Sequence, residues 1–148
     1  MGGFKLRDKR IFKLEIVLCL AWARLLIRLM PFRWWRGTLG PIDRAADMES
    51  LPQLNAEQAK KAAGTGRMIR RLADSLPFKA VCLPQAMAGR WMLARRNIPT
   101  RIVIGTKRGT LEEGLLFHAW LIAGEAIVTG GEESSDFNAF RKQQGVTE

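Results

Sequence analysis

Apolar residues recur every three or four positions through IFKLEIVLCLAWARLLIRLM, which predicts a helix over 11–30 stopped by Pro31. Its longest uncharged run, Ile16–Ala23, has eight residues, well short of the ~20 that cross a bilayer. At about 100° per residue, Lys13, Arg24 and Arg28 gather within about 60° of one another, with Glu15 nearly opposite. The result is a narrow basic stripe on a wide apolar surface. Three readings of this helix stand: it packs on its own domain or on a partner, it lies flat on a membrane with its stripe on lipid phosphates, or it is a cleaved signal. Lys13 and Glu15 at the front of the run, and Arg24 directly behind it, argue against the last.

Phe32-Arg33-Trp34-Trp35-Arg36-Gly37 follows as an aromatic, basic turn, a candidate interfacial anchor or a seam between helices. Gly40-Pro41 opens a polar linker that runs to Asn55. Residues 56–75 read as a helix with Asn55 as N-cap and a break at Gly64-Thr65-Gly66. A further helix over 84–96 begins near Cys82-Leu83-Pro84, with proline at a first helical position. Leu83, Met87, Trp91 and Ala94 share one of its faces, and Asn97 with Pro99 ends it.

The period then changes to two. Residues 101–104 predict a strand, 105–114 a polar loop, and 115–122 with 125–129 a hairpin turning at Ala123-Gly124. A short helix is expected around 137–141. Helices first, then one helix followed by three strands, give an α+β fold with an antiparallel sheet.

A chain of 148 residues, 47% hydrophobic and 26% charged, fits one domain and argues against wholesale disorder. Charge changes the picture more. Residues 1–108 hold 22 of the 24 cations and 7 of the 14 anions, a net +15, while 109–148 carry a net −5. A basic body attracts nucleic acid, anionic lipid or an acidic peptide. The chain has no zinc finger, RNP signature or convincing helix-turn-helix, so nucleic acid is not expected as a partner. One histidine excludes a two-Cys, two-His zinc site. Cys19 and Cys82 stand in such different contexts that free thiols are expected.

Cys82 at a helix start and His118, the only histidine, in a following strand form the one constellation with chemical promise. Free backbone N–H groups and the positive end of the dipole favour a thiolate at Cys82. An imidazole supplies the general base. Taken singly, a cysteine in an apolar stretch is usually a small buried hydrophobe, and a lone histidine on an apolar strand is usually a satisfied core residue. Cys19, with no base nearby, reads as structural. The chemistry calls for no cofactor and no metal.

Cysteine on a helix N-terminus with histidine on an antiparallel strand resembles the layout of papain-like and transglutaminase-like enzymes. The segment 82–131 resembles more closely the transglutaminase-like B protein of lasso-peptide biosynthesis. The likeness rests on Cys82-Leu83-Pro84, the helix to Arg96, the run Asn97 to Gly105, and His118-Ala119-Trp120. It implies a cytoplasmic cysteine protease that removes the leader from a ribosomally made precursor peptide. An asparagine-synthetase-like cyclase then closes the macrolactam ring. It implies a helical part over 1–76 and a catalytic core over 77–148 within a single domain. The first 80 residues lack the three-strand pattern of a fused recognition domain, so a separate leader-recognition protein is expected.

The family has an acid on the strand after the histidine to orient the imidazole. Here a turn at Ala123-Gly124 puts Thr129 opposite His118, and Glu125 opposite Ile122, roughly 13 Å along the strand from the histidine. Glu132, reaching back across Gly130-Gly131, is the acid taken for the third role; Thr129 or a backbone carbonyl is the alternative, and lost activity a third. The competing function is an inactive transglutaminase-like basic module that binds a peptide or, through 11–36, a membrane surface.

Overall fold

The computed structural model describes residues 2–40, 42–43, 51–131 and 138–139. Helix α1 runs Gly2–Leu29, nine residues further upstream than the apolar pattern predicts. Nothing between Phe4 and Arg10 breaks a helix, and the straight-chain lysines and arginines there favour one. It ends before Met30, because the residue ahead of a proline is pushed out of the helical region. Ile16, Cys19, Leu20, Ala23 and Leu26 form its buried face, against α3 and α4. Burying a side chain such as Ile16 or Leu20 stabilises the fold by about 1.5–3 kcal/mol each.

The aromatic turn is a four-residue helix, α2 (Phe32–Trp35), continued by a 3-10 turn over Arg36–Leu39. Its two tryptophans part company. Trp35 is buried with its indole N–H donating to the Met30 carbonyl (3.2 Å), whereas Trp34 is exposed.

Helix α3 (Ala56–Ser75) starts as expected, on a capping box in which Asn55 and Gln58 each accept from the other's backbone N–H. The expected break at Gly64-Thr65-Gly66 is absent. The Thr65 hydroxyl donates to the Lys61 carbonyl, and Gly66 lies where α3 crosses the sheet: a Cβ there would collide with the Val128 carbonyl oxygen. That glycine serves close packing inside an unbroken helix.

Helix α4 (Cys82–Ala94) is central. Ala86, Met87, Ala88, Met92 and Leu93 are all fully buried, so it is apolar nearly all round and not on the single expected face. Asn97, at φ +55°, takes the left-handed position after its last turn, and the Ile98 N–H returns to the Leu93 carbonyl (3.0 Å).

The sheet has the order β1-β2-β3-β4, with β1 (Ile42–Asp43), β2 (Arg101–Arg108), β3 (Leu115–Ala123) and β4 (Ala126–Thr129). β2 and β3 pair antiparallel from Arg101↔Ile122 to Arg108↔Leu115, so the strand outlasts its predicted end at Ile104. On the other edge of β2, β1 pairs parallel at Ile102 and Val103. There too β5 (Asn138–Ala139) pairs antiparallel at Thr106 and Gly105. A strand thus stands within the stretch expected to be a short helix; residues 137, 140 and 141 lie outside the described residues.

The β3–β4 register corrects the sequence reading. The turn is Gly124-Glu125, one residue later than expected, with Gly124 at φ +58° in the first turn position. Ile122 faces Ile127, and a bulge between Leu121 and Ile122 shifts the pairing once more, so Thr129 faces Leu121 and not His118. Among the described residues, no helix is long and apolar enough to cross a membrane.

Candidate active site

Cys82 is the first residue of α4. Val81, extended at φ −72° and ψ −165°, stands at the N-cap position, and no side chain caps the helix. The first intrahelical bond runs from the Gln85 N–H to the Val81 carbonyl (3.3 Å). Pro84 is therefore the third helical residue, not the first. The position costs nothing, because an N–H in that turn has no intrahelical acceptor. Cys82 is half-buried, and its place in the first turn puts it at the positive end of the helix dipole. The Gln85 side-chain amide donates to the Ala80 carbonyl (2.8 Å), tying down the chain that leads into the cysteine.

His118 lies on β3, 5% exposed, and stacks on Trp120 two residues along the same strand face (5.8 Å between ring centres, 27° between planes). Its Nε2 is 2.9 Å from the Gly130 carbonyl oxygen. A carbonyl can only accept, so Nε2 carries a proton and donates it to Gly130. The register shift that removes Thr129 from His118 is what brings the Gly130 carbonyl within reach. Gly130 sits at φ +77°, and a Cβ there would stand 2.8 Å from the Ala119 carbonyl oxygen and 3.1 Å from His118 Nε2. Only glycine fits that bend without displacing the ring.

Cys82 and His118 line one cavity of about 680 Å³, together with Arg70, Asp74, Gln85 and Phe117. α3 supplies the first two of these, one helical turn apart on one face. The sequence reading singled out neither, and the spacing Arg70-x3-Asp74 at the end of α3 was the signal for them. Phe117, next to the histidine and 63% exposed, offers an apolar wall open to solvent.

The remaining candidates fall elsewhere. Thr129 is fully buried, directs its methyl toward Gly89 of α4, and leaves its hydroxyl without a hydrogen bond. Glu132 lies outside the described residues. Glu125 is exposed in the hairpin turn. Both cysteines are free thiols, and Cys19 is buried between α1 and the far end of α4, 3.4 Å from an Arg95 N–H. Among the described residues, no three His, Cys, Asp or Glu side chains cluster as metal ligands.

That far end of α4 is closed electrostatically. Glu15 of α1 accepts from Arg95 (2.8 Å) and Arg96 (2.7 Å). The Arg96 hydrogen bond, with both positive charges behind it, outweighs partial burial and holds the Glu15 carboxyl below its ordinary range.

A family model for the transglutaminase-like superfamily matches residues 26–142, a span that contains both Cys82 and His118. The searches of curated proteins and of solved structures gave no match.

Proposed function

The chain belongs to the transglutaminase-like superfamily, and on that premise we propose that it is a cysteine peptidase that cuts the leader from a lasso-peptide precursor. One observation carries the peptidase reading: a thiol at an uncapped helix start and an imidazole held through Nε2 line the same cavity. The likeness of segment 82–131 to leader-removing proteins supports the substrate.

In the reaction, His118 Nδ1 takes the proton from the Cys82 thiol as sulfur attacks the carbonyl carbon at the leader–core junction. The tetrahedral oxyanion forms beside the first-turn amides of α4, which no side chain occupies. The C–N bond breaks, the nitrogen leaves with the proton from Nδ1, and a leader thioester remains on Cys82. His118 then takes a proton from water. The resulting hydroxide attacks the thioester, releasing the leader as a carboxylic acid and restoring the thiol. Throughout, the Gly130 carbonyl holds the imidazole by Nε2 and stabilises its protonated form. In this reading Glu132 assists the same ring, a separate recognition protein brings the leader, and an asparagine-synthetase-like cyclase consumes the freed core.

The test is incubation with the precursor peptide and the recognition protein, followed by mass spectrometry. Leader and core fragments are expected from the wild type and neither from Cys82→Ala. Equal cleavage by both proteins would overturn the proposal. Binding without cleavage by both would favour an inactive module.

A further inference from the structure

The face of α1 turned away from α3 and α4 is not polar. Ile11, Leu14, Leu18, Trp22, Leu25 and Leu29 follow one another every three or four residues, each 45–65% exposed. Together they make a stripe about 27 Å long. Just beyond Pro31, Phe32 and Trp34 are also exposed, at 49% and 63%. Its buried counterpart on the same helix already supplies what the core needs, so the fold does not account for these side chains. The stripe up to Leu25 also precedes residue 26, where the superfamily match begins.

The surroundings of the stripe are basic on both sides. At about 100° per residue, Arg10, Lys13, Arg24 and Arg28 project along one flank. On the other flank stands Glu15, and α4 sends two arginines to it, Arg95 and Arg96, leaving a net positive charge there as well. The other acid, Asp8, lies a turn before the stripe begins. A single convex helix offers no pocket in which a specific protein partner could seat an anchor. A bilayer interface needs none: it takes leucines and tryptophans into the acyl boundary and phosphates beside the cations.

We propose that this face of α1, with Phe32 and Trp34, docks on an anionic lipid bilayer, the helix lying in the plane of the interface. None of these side chains lines the Cys82 cavity, and the proposal does not rest on the peptidase reading.

The test is co-sedimentation of the full chain with phosphatidylcholine vesicles, with and without phosphatidylglycerol, at low and high salt. Binding on the order of tenfold or more tighter to the anionic vesicles is expected, falling steeply with salt. Leu18→Gln/Trp22→Gln, at two sites more than half exposed, is expected to keep the wild-type circular dichroism and bind at least about tenfold more weakly. Lys13→Glu/Arg28→Glu is expected to remove the preference for anionic lipid. No binding to anionic vesicles, or binding unchanged in the Leu18/Trp22 variant, would overturn the proposal. So would a dimer in light scattering that the same variant dissociates, which would assign the stripe to a second copy of the chain.

Discussion

Two helices of this protein begin in opposite ways. α3 starts on a reciprocal capping box, Asn55 with Gln58, which satisfies its first amides with side chains. α4 starts on Val81, a residue that caps nothing and is itself half exposed, and its first residue is Cys82. A missing cap costs about 1 kcal/mol, and α4 is the more central helix. The difference teaches where the fold forgoes local stability: the amides left open are those beside the thiol, on the wall of the cavity that His118 shares. At its other end α4 is secured by Arg95 and Arg96 against Glu15. The same helix is tied down away from the cavity and left open at it.

The comparison can be broken by substitution, and the largest effect belongs to the thiol. Cys82→Ala is expected to lower cleavage by at least about a thousandfold while the melting temperature stays close to wild type, since alanine is a good helix former. Peptide mass spectrometry and thermal unfolding check the two halves of that statement. Gly130→Ala comes next. Its left-handed backbone and the contacts with the Ala119 carbonyl and His118 are expected to cost roughly 1–3 kcal/mol in chemical denaturation. It should also slow alkylation of Cys82 by displacing the ring.

Exchanging the two starts sharpens the contrast. Asn55→Ala is expected to lose about 1 kcal/mol of stability with activity unchanged. Val81→Ser is expected to gain about 0.5 kcal/mol and to lower activity, because the new hydroxyl takes an amide meant for the oxyanion. A Val81→Ser protein both more stable and equally active would remove the link between the open helix start and the chemistry.

The smallest effect is at the closed end. Glu15→Gln is expected to cost up to about 1 kcal/mol at neutral pH, in line with a pair still partly reached by solvent. The folded Glu15 carboxyl titrates below its ordinary value of 4.5. Its contribution is therefore complete above that value and fades as pH falls through the lower, folded value. Denaturation of wild type and variant should converge in acid and leave alkylation of Cys82 alike at neutral pH.

What was legible in the sequence was local. The limits of α3 were readable from its period and its cap from Asn55, but the break expected at Gly64-Thr65-Gly66 is absent from the helix. A helix beginning near Cys82 was readable from period and proline, although it starts two residues before Pro84 and not at it, and the strand carrying His118 was readable from its apolar run between turn signals. The β3–β4 register was not. Placing Gly124 second in the turn was reasonable by composition, but the chain uses it first, where its positive φ belongs, and then inserts a bulge. The bulge sits where Val128 meets Gly66 and Arg70 across the helix–sheet contact, a constraint that no short window contains. The error mattered for the site, since it set Thr129 opposite the histidine and hid the Gly130 carbonyl. Likewise, the wide apolar surface of α1 was visible in the sequence. How it divides between core and solvent depends on α3 and α4.

The central claim is that Cys82 and His118 act as a pair. Its most direct test is the rate of iodoacetamide alkylation of Cys82, resolved from Cys19 by peptide mass spectrometry, from about pH 5 to 9. Wild type would be compared with His118→Ala. The account predicts fast labelling of Cys82 near pH 6 that slows when the imidazole is removed, with Cys19 unreactive in both. Slow labelling that follows an ordinary thiol near pH 8.5, unchanged by His118→Ala, would contradict it.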